Sequence, residues 1–255
     1  MVDTHCHLYV ADFKTDIAEV ITRARLSGVE KFIMPAIDNE TYEELVKLET
    51  CYPGECYAMM GLHPCSVKED YQEQLSLVEE WLRKRKFIAI GETGLDFYWD
   101  KTFIDKQYEA LEKQIGWALQ YDIPLVLHTR EAMQETIDVI KSHAGKGLKG
   151  VFHCFGGTVE QAAQIIDTGF LMGIGGVVTY KKSGLDVVLK DIDLKYILLE
   201  TDAPYLSPVP YRGKRNESSF LTFIAEKIAD IKQVSLEEIK TVTTQNAQKL
   251  FQPAP

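Results

Sequence analysis

Histidine and carboxylate side chains recur in this chain at one kind of place, the far end of a short apolar run. His5-Cys6-His7 closes the first run and Gly91-Glu92-Thr93-Gly94-Leu95-Asp96 closes a later one. Leu127-His128-Thr129-Arg130, Phe152-His153-Cys154-Phe155 and Glu200-Thr201-Asp202-Ala203-Pro204 close three more. His5, His7, Glu92, His128, His153 and Asp202 make a mixed set of imidazole and carboxylate donors. Such a set suits Zn, Mn, Fe or Ni better than the all-oxygen shells preferred by Ca and Mg. His5 and His7 are two positions apart, so on a strand they point to one face and can share an ion. A catalytic ion takes three or four protein ligands and keeps one position open. Six donors therefore suffice for two divalent ions, provided one carboxylate bridges them.

Each residue also has a plainer explanation. A lone histidine at a strand end is more often a hydrogen-bonded polar residue than a ligand. Asp202 can begin the turn before Pro204, and Glu92 can pair with a buried arginine. Recurrence at the same end of five strands favours one shared site. His63, in Gly61-Leu62-His63-Pro64, ends another apolar run and could serve as a seventh ligand, a phosphate contact or a donor to a ligand; substrate contact is favoured, because the other donors already fill the metal shells. His143 falls in a helix-to-loop stretch and reads as a surface residue. Cys6 and Cys154 flank ligands, and strand alternation turns them to the opposite face, towards packing.

The elements that must position these residues follow from periodicity. Strands are predicted at about 1–5, 30–37, 56–62, 87–92, 123–128, 149–153, 170–175 and 196–201. Helical patterns lie between them, over Asp16–Leu26, Phe103–Tyr121, Glu131–Ser142 and Thr158–Thr168. Thr158 is placed as an N-cap, Gly169 as a stop, and Ser235-Leu236-Glu237-Glu238 as the capping box of a last helix. Eight strand–helix units in 255 residues predict a closed (β/α)8 TIM barrel, a single domain over residues 1–255. An open doubly wound sheet would carry a glycine-rich turn after its first strand, and this chain has His-Cys-His there. In a barrel, residues some 200 positions apart become neighbours at one mouth.

Composition narrows the partners. The chain carries 28 Lys and Arg against 38 Asp and Glu, a net charge of −10. That balance argues against a protein that coats DNA and leaves room for an enzyme that grips a few phosphates. The densest basic run, Tyr211-Arg212-Gly213-Lys214-Arg215-Asn216, follows the last strand closely. A solvated loop is the usual meaning of such a run. Its place near the mouth makes Arg212, Lys214 and Arg215, with Arg130, candidates for binding a polyanionic substrate. Five cysteines without paired spacing predict free thiols and a reducing cytoplasm. No apolar run approaches the roughly 20 residues of a membrane span, the start is too polar for a secretory signal, and no obligate protein partner is expected.

In order, these motifs closely resemble the TatD-type deoxyribonucleases over essentially the whole chain, through Pro210-Tyr211-Arg212-Gly213-Lys214-Arg215-Asn216 to the closing Gln245-Asn246-Ala247-Gln248-Lys249-Leu250-Phe251. The resemblance implies a barrel with two divalent ions. It assigns His5, His7, Glu92 and Asp202 to one and Glu92, His128 and His153 to the other. It also implies a magnesium- or manganese-dependent DNase, often a 3′-to-5′ exonuclease on single strands. Ala203 and Ser218 depart from the expected serine and proline. The expected chemistry is phosphodiester hydrolysis of DNA with two ions among Zn, Mn and Mg, Glu92 bridging and Asp202 accepting a proton. The alternative is an amidohydrolase or ester/lactone hydrolase on the same metal barrel. The basic loop favours phosphate, as does the absence of a lysine at the end of the fourth strand that carbamylation could turn into a bridge.

Overall fold

The computed structural model describes residues 1–252. Short apolar runs form the strands β1 Val2–Asp3, β2 Lys31–Met34, β3 Cys56–Ala58, β4 Ile90–Asp96, β5 Leu125–Arg130, β6 Gly150–Phe152, β7 Leu171–Ile174 and β8 Ile197–Leu199. Amphipathic segments between them form α1 Ile17–Leu26, α2 Tyr42–Cys51, α3 Tyr71–Lys84, α4 Ile104–Tyr121, α5 Met133–Ser142, α6 Val159–Asp167, α7 Leu185–Asp191 and α8 Leu221–Lys232, with α9 Leu236–Phe251 closing the described chain. Thr158 caps α6 with a full reciprocal box, its partner being Gln161. At α9 the Ser235 hydroxyl accepts from the Glu238 amide, half of the expected box. None of the described helices is long and apolar enough to cross a membrane.

All strand pairs are parallel and run in chain order, β1-β2-β3 and β4-β5-β6-β7-β8. Two parallel bridges join these ladders end to end, Met60 with Ile90 and Cys6 with Ala203. Around the second bridge the Asp202 amide donates to the His5 carbonyl at 2.8 Å and the His7 amide to the Ala203 carbonyl at 2.7 Å. The sheet is thereby a closed (β/α)8 barrel with a helix after each strand. Its ladders are shorter than the apolar runs suggest. His5 and His7 lie just beyond β1, whereas β4 and β5 run on to Asp96 and Arg130.

Side-chain alternation then builds the site. Val126, Val151 and Leu198 face inward in a small apolar core that Ala247, Leu250 and Phe251 of α9 plug from below. Two residues further along the same inward rows stand His128, His153 and Glu200. Leu127, Phe152 and Leu199 point the other way, into the core beneath the helices. One sheet face is thus apolar at the bottom of the barrel and ligand-bearing at its mouth. Cys6 packs in the outer core as expected. Cys154 departs from expectation and lines the mouth. β6 stops at Phe152 and Cys154 has φ 48°, so strand alternation no longer governs its direction.

Gly94 shows how tightly β4 and β5 meet. Its φ is +139°, and a Cβ there would sit 2.1 Å from the carbonyl oxygen of His128. Gly94→Ala must therefore push β5 and its histidine aside. The expected result is destabilisation by at least ~1–3 kcal/mol, the usual cost of overpacking, together with weaker metal retention. Denaturant titration with and without metal checks it, and a stability equal to wild type overturns the account.

Candidate metal centre

Glu92 lies at the centre of the mouth and is fully buried, and its two carboxylate oxygens face different histidines. Oε2 is 3.1 Å from His5 Nε2 and 3.7 Å from His7 Nε2. Oε1 is 2.9 Å from His128 Nδ1, 2.9 Å from His153 Nε2 and 3.4 Å from His63 Nε2. Asp202 Oδ1 closes the first group at 3.7 Å from His5 Nε2 and 3.5 Å from His7 Nε2. Among the described residues every ion-pair partner of Glu92 is a histidine, so no lysine or arginine holds it.

Three overlapping groups, His5-His7-Glu92, His5-His153-Asp202 and His63-Glu92-His128, have donor atoms within 4.8 Å of one another. That spacing and donor chemistry fit divalent ions of the zinc or manganese type. The structure draws together all six donors singled out in the sequence. It also brings His63 to ligand distance, where the sequence favoured substrate contact over a seventh ligand; His63 lines the open cavity as well.

The electrostatics of the protein without metal follow from this packing. Burial pushes the Glu92 carboxyl up, but His153, His5 and His63, with a hydrogen bond from His128, more than reverse it. They hold Glu92 well below the usual carboxylate range. Burial likewise pushes Asp202 up, and the hydrogen bond from His7 with the charges of His153 and His5 brings it below its ordinary value. Burial opposes protonation of His153, but Glu92 and Glu200 raise it well above the usual imidazole range. His128 is raised against burial by Asp96 and Glu92, and His63 by Glu92. His5 goes the other way, lowered by burial and by His153.

Three outer partners had no role in the sequence reading. Asp96 Oδ2 stands 2.9 Å from His128 Nε2. The Tyr9 hydroxyl is 3.1 Å from His7 Nδ1 and donates to the Pro35 carbonyl at 2.6 Å. Glu200 Oε1 lies 3.4 Å from His153 Nδ1 and accepts from the Cys154 amide at 2.6 Å. Gly173 makes room for it, since a Cβ there would come within 2.1 Å of Glu200 Oε2. Partners of this kind fix the orientation of an imidazole ligand. Asp96 and Glu200 stand inside the motifs, and an acidic residue four positions after Glu92 or two before Asp202 was the available signal.

The cations divide. Arg130 lines the open cavity of about 810 Å³ that descends to Glu92. Arg212 and Lys214 are exposed and do not line it; the Arg212 guanidinium lies 4.1 Å from the centroid of the Tyr180 ring. Arg215 departs furthest from expectation. It donates to both carboxylate oxygens of Asp16, at 2.8 and 2.7 Å, and to the Asp12 carbonyl at 2.6 Å. An arginine so engaged braces the start of α1 against the loop after β8, because its fork is already filled by a carboxylate. His143 is half-buried at the end of α5, 2.9 Å from Glu112 and outside the site. The five cysteines are free thiols. Burial pushes the Cys154 thiol up to about 12, which removes it as a nucleophile.

A barrel whose mouth gathers histidines and carboxylates in this way belongs to the metal-dependent hydrolases. Within that class the family model described as TatD related DNase matches residues 2–252, and the chain belongs to that family. It is 36% identical over 252 residues to YabD of Bacillus subtilis (strain 168), an uncharacterized metal-dependent hydrolase, covering 98% of both chains. It is 32% identical over 260 residues, the full length of each, to the 3′-5′ ssDNA/RNA exonuclease TatD of Edwardsiella piscicida. The solved structure of YjjV, a TatD homologue from Escherichia coli K12, superposes with a TM-score of 0.93 at 30% identity, covering 99% of this chain and 98% of that one.

Two measurements check the centre. His153, His128 and His63 are raised above the ordinary imidazole value without metal, so these rings keep their protons to higher pH than a free imidazole. Ligation needs the deprotonated ring. Metal loading at pH 7 should therefore release protons, and affinity should fall as pH drops; calorimetry in buffers of different ionisation enthalpy reads both, and proton-neutral loading contradicts the assignment. Glu200→Gln keeps the shape beside Gly173 but removes the charge facing His153. Metal affinity should fall about 10–100-fold, measured by chelator competition, and an unchanged affinity removes Glu200 from the centre.

Proposed function

We propose that this protein hydrolyses phosphodiester bonds of DNA, removing nucleotides from the 3′ end of single strands, with two divalent ions held in the mouth of the barrel. The observation that carries the proposal is the split of the Glu92 carboxylate between two groups of histidines at the floor of an open cavity. His5, His7, Glu92 and Asp202 would hold one ion, and Glu92, His128 and His153 the other. The kinship with an exonuclease named for single-stranded DNA and RNA supports the choice of substrate. Two ions supply Lewis acidity toward the phosphoryl oxygens and lower the pKa of water towards 7.

The protein side chains do the rest. Asp202 is a carboxylate well into the acid range, since its pKa is lowered, so the proton-accepting form is present throughout neutral pH. Its Oδ1 stands beside His5 and His7, on the opposite side of Glu92 from His128. From there it accepts the proton of the attacking water. Arg130 presents a planar guanidinium at the cavity wall and grips a phosphate oxygen pair in two parallel hydrogen bonds. His63, lining the same cavity, donates to phosphate from the other side of Glu92 Oε1.

Asp202→Asn preserves shape and one oxygen ligand but removes basicity. Turnover on single-stranded DNA should fall about 10²–10⁴-fold, while metal content falls much less because His5, His7 and Glu92 remain. Glu92→Ala should instead strip both metals. Elemental analysis beside turnover separates the two, and an Asp202→Asn enzyme with near-normal turnover removes the proton-acceptor role.

Arg130→Ala should raise KM more than Arg212→Ala, because only the first side chain lines the cavity. The Arg130 effect should shrink as salt rises. Equal effects of the two changes would return the phosphate grip to the basic loop. A substrate panel of single-stranded DNA, duplex DNA, RNA, a phosphomonoester, an amide and a lactone tests the reaction class, and turnover confined to the amide or lactone sinks the nuclease reading.

A further inference from the structure

Two exposed aromatic rings stand at the rim of the cavity on the loop that leaves β4. Trp99 is 67% exposed and Tyr98 is 48% exposed, although they are among the largest apolar side chains in the molecule. The rings meet edge to face with centroids 4.9 Å apart. The Arg130 guanidinium lies over both, 4.0 Å from the Tyr98 centroid and 5.1 Å from that of Trp99. Trp99 and Arg130 both line the cavity that holds Glu92 and His128.

The loop is built to hold this position. The amides of Tyr98 and Trp99 donate to Asp96 Oδ1 at 2.9 and 3.0 Å. The other oxygen of the same carboxylate faces His128 Nε2. Further along, Asp100 accepts from Lys68 at 2.8 Å and from the Thr102 amide at 2.9 Å. The rings are therefore tied, through one carboxylate, to a side chain of the metal centre. Across the barrel, Tyr205 and Leu206 after β8 are exposed on the facing wall, 51% and 39%. Large rings kept in water beside the cavity, with a cation packed on them, suit a flat partner that brings a phosphate with it.

We propose that Trp99 and Tyr98, braced by Arg130, form a platform on which an unpaired base next to the cleaved phosphate stacks. This inference rests on the DNA reading given above. An unpaired base offers a free face to an aromatic ring, whereas in a duplex both faces are covered by neighbours. Arg130 joins the two tasks, with its flat face on the rings and its N–H edge towards the phosphate. Single-strand selection then comes from this wall and not from the metal centre.

The test measures Kd of the metal-loaded enzyme for a phosphorothioate-linked single-stranded oligonucleotide, by anisotropy of a label at its 5′ end. Wild type, Trp99→Ala and Trp99→Phe are compared on a normal oligonucleotide and on one with abasic residues at the last two 3′ positions. Trp99→Ala should weaken binding of the normal strand roughly 5- to 100-fold, the range of one stacked base, and Trp99→Phe should recover most of it. On the abasic strand Trp99→Ala should add no further loss, because the stacking partner is already gone. Equal losses on both strands, or no loss on the normal one, overturn the platform. Binding that depends on Trp99 in a protein that never cleaves unmodified DNA would uphold the platform and sink the hydrolytic reading alone.

Discussion

The charge of Glu92 is the constraint around which the mouth is built. A carboxylate buried this deeply is costly in free energy unless it is paired and hydrogen-bonded. Five histidines converge on it, and four of them, His153, His5, His63 and His128, hold its pKa below the usual carboxylate range against the effect of burial. Its two oxygens serve different neighbours, so one side chain organises both halves of the centre. With neutral rings in place, a divalent cation is the natural counter-charge for Glu92 and Asp202 together. This explains why so many ligands come from different strands. No short stretch of chain can surround one buried carboxylate, while the mouth of a closed barrel can.

The architecture below and around the site keeps those ligands still. The inward rows of the barrel are apolar at the bottom, where Val126, Val151 and Leu198 meet α9, and polar at the top, where His128, His153 and Glu200 stand. Rigidity is inherited from the packed layer beneath. Asp96, Tyr9 and Glu200 then orient three of the rings from outside. Each is itself held by backbone, Asp96 by two loop amides, Glu200 by the Cys154 amide and Tyr9 through the Pro35 carbonyl. Asp96 further couples the histidine cluster to the aromatic loop, so the floor of the cavity and its aromatic rim share one support.

In a protein of net charge −10, few of the candidate cations are free to reach the cavity. Arg215 is spent on Asp16 as a brace, and Arg212 rests on Tyr180 outside the cavity. Arg130 is the arginine of the four candidate cations that reaches the cavity wall. On the nuclease reading, local charge at the centre would come from bound cations, and affinity for the rest of the strand from flat aromatic contact with little dependence on salt.

The amino-acid sequence by itself determined the barrel and the set of donor side chains that gather at its mouth. Eight apolar runs alternating with amphipathic segments admit few other folds, and a ligand at the end of a strand stays legible because the period of two carries it to a known face. Tertiary structure decided whatever depended on distances between strands. His63 comes to ligand distance of Glu92 because β3 adjoins β4, which no local pattern encodes. Arg215 meets Asp16 across 199 residues, and a basic run looks the same in sequence whether its fork is free or filled. Cys154 turned into the mouth because its strand ended one residue sooner than the ligand before it, and alternation predicts direction only while the ladder lasts. Asp96, Glu200 and Trp99 stood in plain view as residue types. Their partners lie on β5, in the loop after β6 and around Arg130, and it is the lateral pairing of the strands β4 to β8 that brings them into contact.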